Sequence, residues 1–348
     1  MADELKEVHS RRIKDAHFKN TTGLCFPSNY LSNSQIGLFR ICPKAYEFSY
    51  IQRIREKRGP SAVVGLSVHK FLETMTEMRK PKLPEKDLID CFEDIFSTEL
   101  KGNGAEYTIE EKEEVNMRKK KIIPSLLSYY EKEAPNVNTL LIEKQVDAPV
   151  PIARKKFNSV TKKVTVEPCG EISIIGFVDS IITKHKTEFI KEAEVSDVVK
   201  KFVDLQIQDF KTGAKKDATE IIADYQLPFY SYATGIDKIR IDNIIVSKAK
   251  TEKGIKPNYA IFEQTIEAFH LENMLAEYCS AAYSIGKGYF TDSGGYSCDE
   301  NTFPKVSLNH WKCSPKYCGH WYHCRGDKVD SYLKKVAIRE FGSHIEKE

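Results

Sequence analysis

The chain has 348 residues, 41% hydrophobic and 30% charged, which excludes a mostly disordered protein. A chain this long buries about three-quarters of its unfolded surface, so it needs no disulfides to fold. With 53 Lys and Arg against 50 Asp and Glu, the net charge of +3 neither indicates nucleic acid nor excludes it.

Residues 1–30 read as a polar N-terminal arm. Its opening, MADELKEVHSRRIKDAHFK, is too polar for a secretory signal, and no apolar run nears the roughly 18 residues of a membrane helix. A cytoplasmic protein with no membrane partner is expected. At Leu31 the text changes. Ser32 or Ser34 can cap a helix whose apolar face begins at Ile36, Leu38 and Phe39. Pro43 predicts a break and restart after Cys42. Residues 61–80 read as a helix, with Val64, Val68, Phe71, Leu72 and Met75 at helical period. Gly65, His69 and Glu73 share one stripe of it, and Glu73 reads as a surface acid. Residues 84–135 suggest further amphipathic helices, broken or restarted at Pro124.

After Pro135 the text turns to strands: TLLIEKQVDAPV, KKVTVEP, GEISIIGFVDSIIT, TEFIKEAEVSD, VDLQIQDFK and RIDNIIVSKA. DYQLPFYSYATGI and LENMLAEYCSAAYSIGKG read as helices, and a last helix is expected from Asp327 to about Arg339. The expected fold class is α/β, a mixed central sheet flanked by helices with a helical insertion at about 61–135. The catalytic sheet would span about 136–250, a cysteine-bearing region about 295–325, and a tail 326–348.

Two strand ends carry chemistry. Gly176-Phe177-Val178-Asp179 closes one, and Asp209-Phe210-Lys211-Thr212-Gly213 closes another. Asp209 and Lys211 are two apart, so in a strand they project to the same face. Carboxylates converging there can fix a hard cation that polarises a phosphoryl oxygen and lowers the pKa of a bound water. A lysine beside them can orient that water or neutralise developing charge.

The order Cys42-Pro43, Gly65-x-x-x-His69, Gly176-Phe177-Val178-Asp179, Asp209-Phe210-Lys211, Gln226-x-x-x-Tyr230 and a terminal cysteine group resembles the PD-(D/E)XK nuclease superfamily. It is similar in particular to the RecB-like branch, with its CRISPR-associated and AddB-type relatives, some phage-encoded. The resemblance covers about residues 31–325 as one nuclease domain of restriction-endonuclease-like fold. It implies Asp179, Asp209 and Lys211 as catalytic residues. It implies His69, Asp179, Asp209 and the Phe210 carbonyl as ligands of Mg²⁺ or Mn²⁺. Gln226 and Tyr230 would position DNA and the lysine. The stretch between Asp179 and Asp209 is longer than the family pattern, which predicts an extra hairpin at about 184–201. It also leaves Glu171 and Glu192 as substitutes for Asp179.

Nine cysteines is an odd count, against a fully paired extracellular framework. Three stand close together, as Cys313-x4-Cys318-x5-Cys324. The resemblance supplies Cys42 as a fourth, the arrangement of a 4Fe–4S cluster clasping the two ends of the domain. Zinc is the lesser alternative, because a mononuclear zinc site usually shows two close pairs of ligands; the Cys-x4-Cys spacing itself departs from the shorter Cys-x2-Cys of many relatives. The other five cysteines read as ordinary thiols.

Arg118–Lys121, Arg154–Lys156, Lys162-Lys163 and Arg53 to Arg58 read as solvated faces. Lys215 and Lys216, just past the catalytic strand, are the expected DNA-binding cations. Most of Tyr46, Tyr50, Tyr225, Tyr230 and Tyr232 are expected in the core. The implied activity is hydrolysis of DNA phosphodiester bonds by a metal-dependent exonuclease preferring single strands or ends. Its setting would be recombination, replication, repair or CRISPR adaptation. No Gly-x4-Gly-Lys-Ser/Thr is present, so a helicase would be a separate partner. The alternatives are an inactive DNA-end-binding scaffold of the same fold, and a zinc-ribbon nucleic-acid-binding protein.

Overall fold

The computed structural model describes residues 18–19, 23–54, 58–78, 83–103, 107–185, 190, 193–214, 220, 224–249, 254–292, 295–298, 303–306, 310, 312–314 and 317–325. The core sheet has six strands: β3 (Tyr30–Ser32), β4 (Asn138–Asn158), β5 (Lys163–Thr183), β6 (Leu205–Gly213), β7 (Lys238–Ile245) and β8 (Tyr259–Thr265). Short strands β1 (Phe18–Lys19) and β2 (Cys25–Phe26) precede it and pair with each other. β4 and β5 form a long antiparallel hairpin, with β4 along one edge of β5. The other edge is shared. β3 pairs in parallel with Ser173–Ile175, and β6 pairs antiparallel with Ser180–Thr183. Residues 176–179 fall between those two ladders, so the Gly-Phe-Val-Asp stretch meets no partner strand on that edge.

β6 then pairs in parallel with β7, and β7 antiparallel with β8, so the sheet is mixed. Helices cover both faces. α3 (Pro60–Met78), α4 (Glu85–Asn103) and α5 (Ile109–Lys132) bury Val64, Phe71, Phe92, Ile122 and Tyr129 against Phe210 and Ile244. α7 (Gln226–Thr234) and α8 (Ala268–Gly288) bury Phe229, Met274 and Tyr278 with Ile207 and Ile241 on the opposite side. Alternation along β6 and β7 therefore divides the core in two. Phe26 is fully buried in the second cluster, so the described end of the N-terminal segment is core rather than a polar arm.

Several expectations need correction. α5 runs through Pro124 without ending. A capping box at Thr108 and Glu111 fixes its start, and Ser125 Oγ donates to the Ile245 carbonyl at 2.8 Å, so packing on both sides of the proline outweighs its helix-breaking tendency. KKVTVEP and GEISIIGFVDSIIT are one strand, because a bulge opposite Pro151–Ala153 absorbs the Pro168 and Gly170 turn signals. The second half of TEFIKEAEVSD is not a strand. It opens helix α6 (Val195–Lys201), which buries Val195 and Val198 three apart on one face, so tertiary anchoring overrides β propensity. Within 184–201, residues 195–201 are accordingly helical, in place of the expected hairpin. β8 had no counterpart among the expected strands. The expected last helix lies outside the described residues.

Ser32 caps α1 (Asn33–Ile41) by accepting from the Gln35 N–H at 3.1 Å. The chain breaks at extended Cys42 and restarts at Pro43 as the short α2 (Pro43–Tyr46), followed by a π turn over Glu47–Ile51. Among the described residues no helix is long and apolar enough to cross a membrane.

Candidate active site

The β5–β6 ladder ends at Ser180 and Gln208. In the same register the next residues are Asp179 and Asp209. Instead of another backbone pair, the Asp179 carboxylate accepts the Phe210 N–H at 2.7 Å. Two acidic side chains thus stand where two strands part. In an extended strand the N–H and C=O of one residue project to the same side, so the Phe210 carbonyl also faces Asp179.

Asp209 is buried, and Lys211 Nζ lies 2.8 Å and 3.0 Å from its two oxygens. The same ammonium donates to Gln226 Oε1 at 2.9 Å, and Gln226 Nε2 donates to the Tyr230 hydroxyl at 2.9 Å. Gln226 and Tyr230 lie one turn apart on α7, which explains the shared face. Burial pushes the Tyr230 phenol up, so it stays protonated. Burial would lower the Lys211 ammonium, but the Asp209 charge and hydrogen bond, with the Asp179 and Asp224 charges, together outweigh that and hold it above its ordinary value.

His69 comes from α3. Its Nδ1 lies 3.5 Å from an Asp179 oxygen, and its ring stands edge-on to Phe210. A Cβ on Gly65 would sit 3.0 Å from Thr212 Oγ1, so glycine lets α3 approach β6 closely enough for His69 to reach. Burial, then the Asp209 charge, push Asp179 up to about 6.

Sequence reasoning missed Glu143. The hairpin register places it opposite Asp179, and its backbone is left-handed at φ 47°. Part of the residue is open to solvent. Partial burial, then the Asp179 and Glu73 carboxylates, push it up to about 7 against the opposing Lys70. A lone glutamate in a long strand carries no local signal of this. Glu73 pairs with Lys70 at 2.7 Å. Glu171 lies eight residues before Asp179 on β5, roughly 26 Å away at strand rise, so it is no substitute. Glu192, Lys215 and Lys216 lie outside the described residues.

The donor set suits a hard divalent cation: buried carboxylates whose mutual repulsion already raises Asp179, an imidazole and a backbone carbonyl. Among the described residues no three His, Cys, Asp or Glu side chains yet converge on one point. The fit is therefore of donor chemistry.

The four grouped cysteines face a common cavity without converging on one point. Cys42, at the α1–α2 break, lines one small cavity with Cys313, Cys318 and Cys324, beside His320 and the short α9 (Trp321–Arg325). His320 is buried and bonds the Ser49 hydroxyl at 2.8 Å. Burial pushes the Cys324 thiol up, and Lys305 and Arg325 oppose it.

Residues 30–324 match the family model of the PD-(D/E)XK nuclease superfamily. The chain belongs to that superfamily, a group of nucleases, and its mixed sheet between helices fits the restriction-endonuclease-like fold. A crystal structure from Eubacterium rectale, named provisionally as an exonuclease, is 12% identical, with 78% of this chain and 85% of that chain covered at a TM-score of 0.40. A crystal structure of SSO0001 is 14% identical, with 80% and 85% covered at 0.28. Likeness at these scores carries no argument. No curated protein matches the sequence.

Proposed function

We propose that this chain is a metal-dependent DNA exonuclease, with residues 31–325 acting as one nuclease domain. The observation that carries the reading is the Lys211 ammonium, held between Asp209 and Gln226 beside Asp179. A lysine fixed this way needs no reorganisation to meet negative charge developing on a phosphoryl group. Asp179, Asp209, His69 and the Phe210 carbonyl would hold Mg²⁺ or Mn²⁺. Such a cation, when bound, supplies Lewis-acid stabilisation and an acidified water. The chain's own residues do the rest. Asp209 anchors Lys211, Gln226 sets its direction, and Tyr230, by accepting from Gln226 Nε2, keeps Gln226 Oε1 turned toward the lysine as its acceptor.

The cavity of Cys42, Cys313, Cys318 and Cys324 would hold a 4Fe–4S cluster, with zinc the lesser alternative. Four thiols surround a cavity rather than one point, and Lys305 and Arg325 stand beside Cys324 to offset the charge of a thiolate-bound cluster. A cluster there would tie the helix break after β3 to the C-terminal segment. An enzyme of this kind would act in recombination, replication, repair or CRISPR adaptation, with any helicase on a separate chain.

The test compares wild type with Lys211→Ala on labelled single-stranded and duplex DNA with Mg²⁺ or Mn²⁺. Progressive shortening by wild type and a loss of roughly a thousandfold or more in the variant are expected. Equal cleavage by both, or none by either, sinks the reading and favours a DNA-end-binding scaffold.

A further inference from the structure

Beyond the carboxylates, an open groove leaves the site along the free edge of β5, between the β3 and β6 ladders. Gly176 and Phe177 line it from β5, and Gln226 and Tyr230 from α7. Its far wall is the N-terminal turn of α1, because β3 runs in parallel beside Ser173–Ile175 and passes straight into that helix.

We propose that this groove binds single-stranded DNA next to the scissile phosphodiester, with a backbone phosphate at the start of α1 and an unpaired base on Phe177. The inference rests on the reading of Asp179, Asp209 and Lys211 as a nuclease centre. Four observations carry it.

α1 has nine residues and no acid in its own first turn to offset its positive N-terminal end. The Ser32 and Ser34 hydroxyls stand 2.9 Å apart on the groove wall and offer further donors. Gln35, next along, is only 9% exposed, yet its Oε1 has no hydrogen-bond partner among the described residues, and it lines the groove. Buried amides are rarely left so, and a base or sugar edge supplies the missing group. Phe177 is 44% exposed, an unusual place for an aromatic in the middle of the core sheet. It lies two residues before Asp179, so it shares that residue's face roughly 7 Å along the strand. An exposed ring there can stack an unpaired base, which a base-paired duplex cannot offer. Arg40, at the end of α1, also lines the groove; its guanidinium lies 4.3 Å over the Tyr225 ring and pairs with Glu277 at 3.3 Å, so it contributes a partly offset cation. Asp224 is the single acid among the described lining residues.

The test is binding without cutting. Fluorescence anisotropy measures the Kd for a short single-stranded oligonucleotide and for a blunt duplex, in Ca²⁺ or chelator. Phe177→Ala removes the stacking ring. Ser34→Glu places an acid in the first helical turn, which favours the helix but repels a phosphate. Both should weaken single-strand binding by roughly tenfold or more, with duplex binding much less affected. A control charge on the exposed hairpin tip, Val160→Glu, should change Kd by less than about twofold. Thermal melts confirm that each variant folds. Unchanged single-strand binding in folded Phe177→Ala and Ser34→Glu overturns the inference, as does equal weakening for duplex. Wild type that binds through this groove but never cuts with Mg²⁺ or Mn²⁺ overturns only the nuclease reading.

Discussion

The backbone N–H of Phe210 donates to the carboxylate of Asp179 across 2.7 Å, at the point where β5 and β6 stop pairing. A side chain thus replaces the next rung of the ladder. It holds Asp179 over Asp209 and keeps both acids out of bulk water. The arrangement is costly without a cation, and that cost gives the first prediction.

Asp179→Asn should stabilise the metal-free protein. Burial and the Asp209 charge raise Asp179 to about 6. Between about pH 4 and pH 6 the folded protein holds a proton that the unfolded chain releases, so stability falls as pH rises through that window and stays lower above it. Asparagine keeps an acceptor for the Phe210 N–H and carries no charge. At pH 8 in chelator the variant should be more stable by about 3 kcal/mol, and near pH 4 by almost nothing. Urea unfolding at the two pH values checks this. Equal stability at both rejects the strained-carboxylate account.

Metal affinity should rise with pH. A cation competes with the protons on Asp179, at about 6, and on Glu143, at about 7. Calorimetric titration with Mn²⁺ should show tighter binding as pH climbs from about 5.5 to 8, with proton release into buffer. Affinity flat across that range would mean that neither carboxylate faces the ion.

Gly176→Ala should damage the site through packing. The new Cβ would lie 2.7 Å from the Tyr230 ring and 3.1 Å from the Phe229 ring. Both aromatics are buried, so neither can swing away cheaply. A loss of about 1–3 kcal/mol is expected, with cleavage falling as Tyr230 and Gln226 shift. Unfolding curves and cleavage rates, measured on one preparation, test both parts.

A network under the other face of β6 should matter for stability and little for chemistry. Asp242 is fully buried, and Tyr129 donates to it at 2.6 Å. Arg240 Nε donates to it at 2.9 Å, and Gln208 also bonds it. Tyr129→Phe should cost about 1–3 kcal/mol by leaving that carboxylate short of a donor. Cleavage at saturating substrate should change little, since Gln208 and Asp209 point to opposite faces. A large rate loss in a folded variant would show that the network reaches the active face.

Cys42→Ser tests the cysteine cavity. Anaerobically purified wild type should be brown, with broad absorbance near roughly 400 nm. The variant should lose that absorbance and melt at a lower temperature, because the α1–α2 break would no longer be tied to the C-terminal segment. Colourless wild type carrying stoichiometric zinc rejects the cluster.

The division between sequence and structure follows the range of the interactions. Asp209 and Lys211 two apart in a strand, and Gln226 and Tyr230 one turn apart in a helix, are local periodicities, so their shared faces were legible in the text. So were the Ser32 cap, the break at Pro43 and the cysteine group, each set by neighbouring residues. Glu143 was not, because it meets Asp179 only through the register of a long hairpin, where both residues lie near the open end and far from the turn. Helix α6 and the unbroken α5 escaped for a related reason: Val195, Val198 and Ser125 are held by partners that local propensity cannot name. The net charge of +3 carries no information about nucleic acid. The free edge at Gly176–Asp179, with the start of α1 on one side and Lys211 on the other, exists because two strands share one side of β5, and only the folded chain decides where their ladders end.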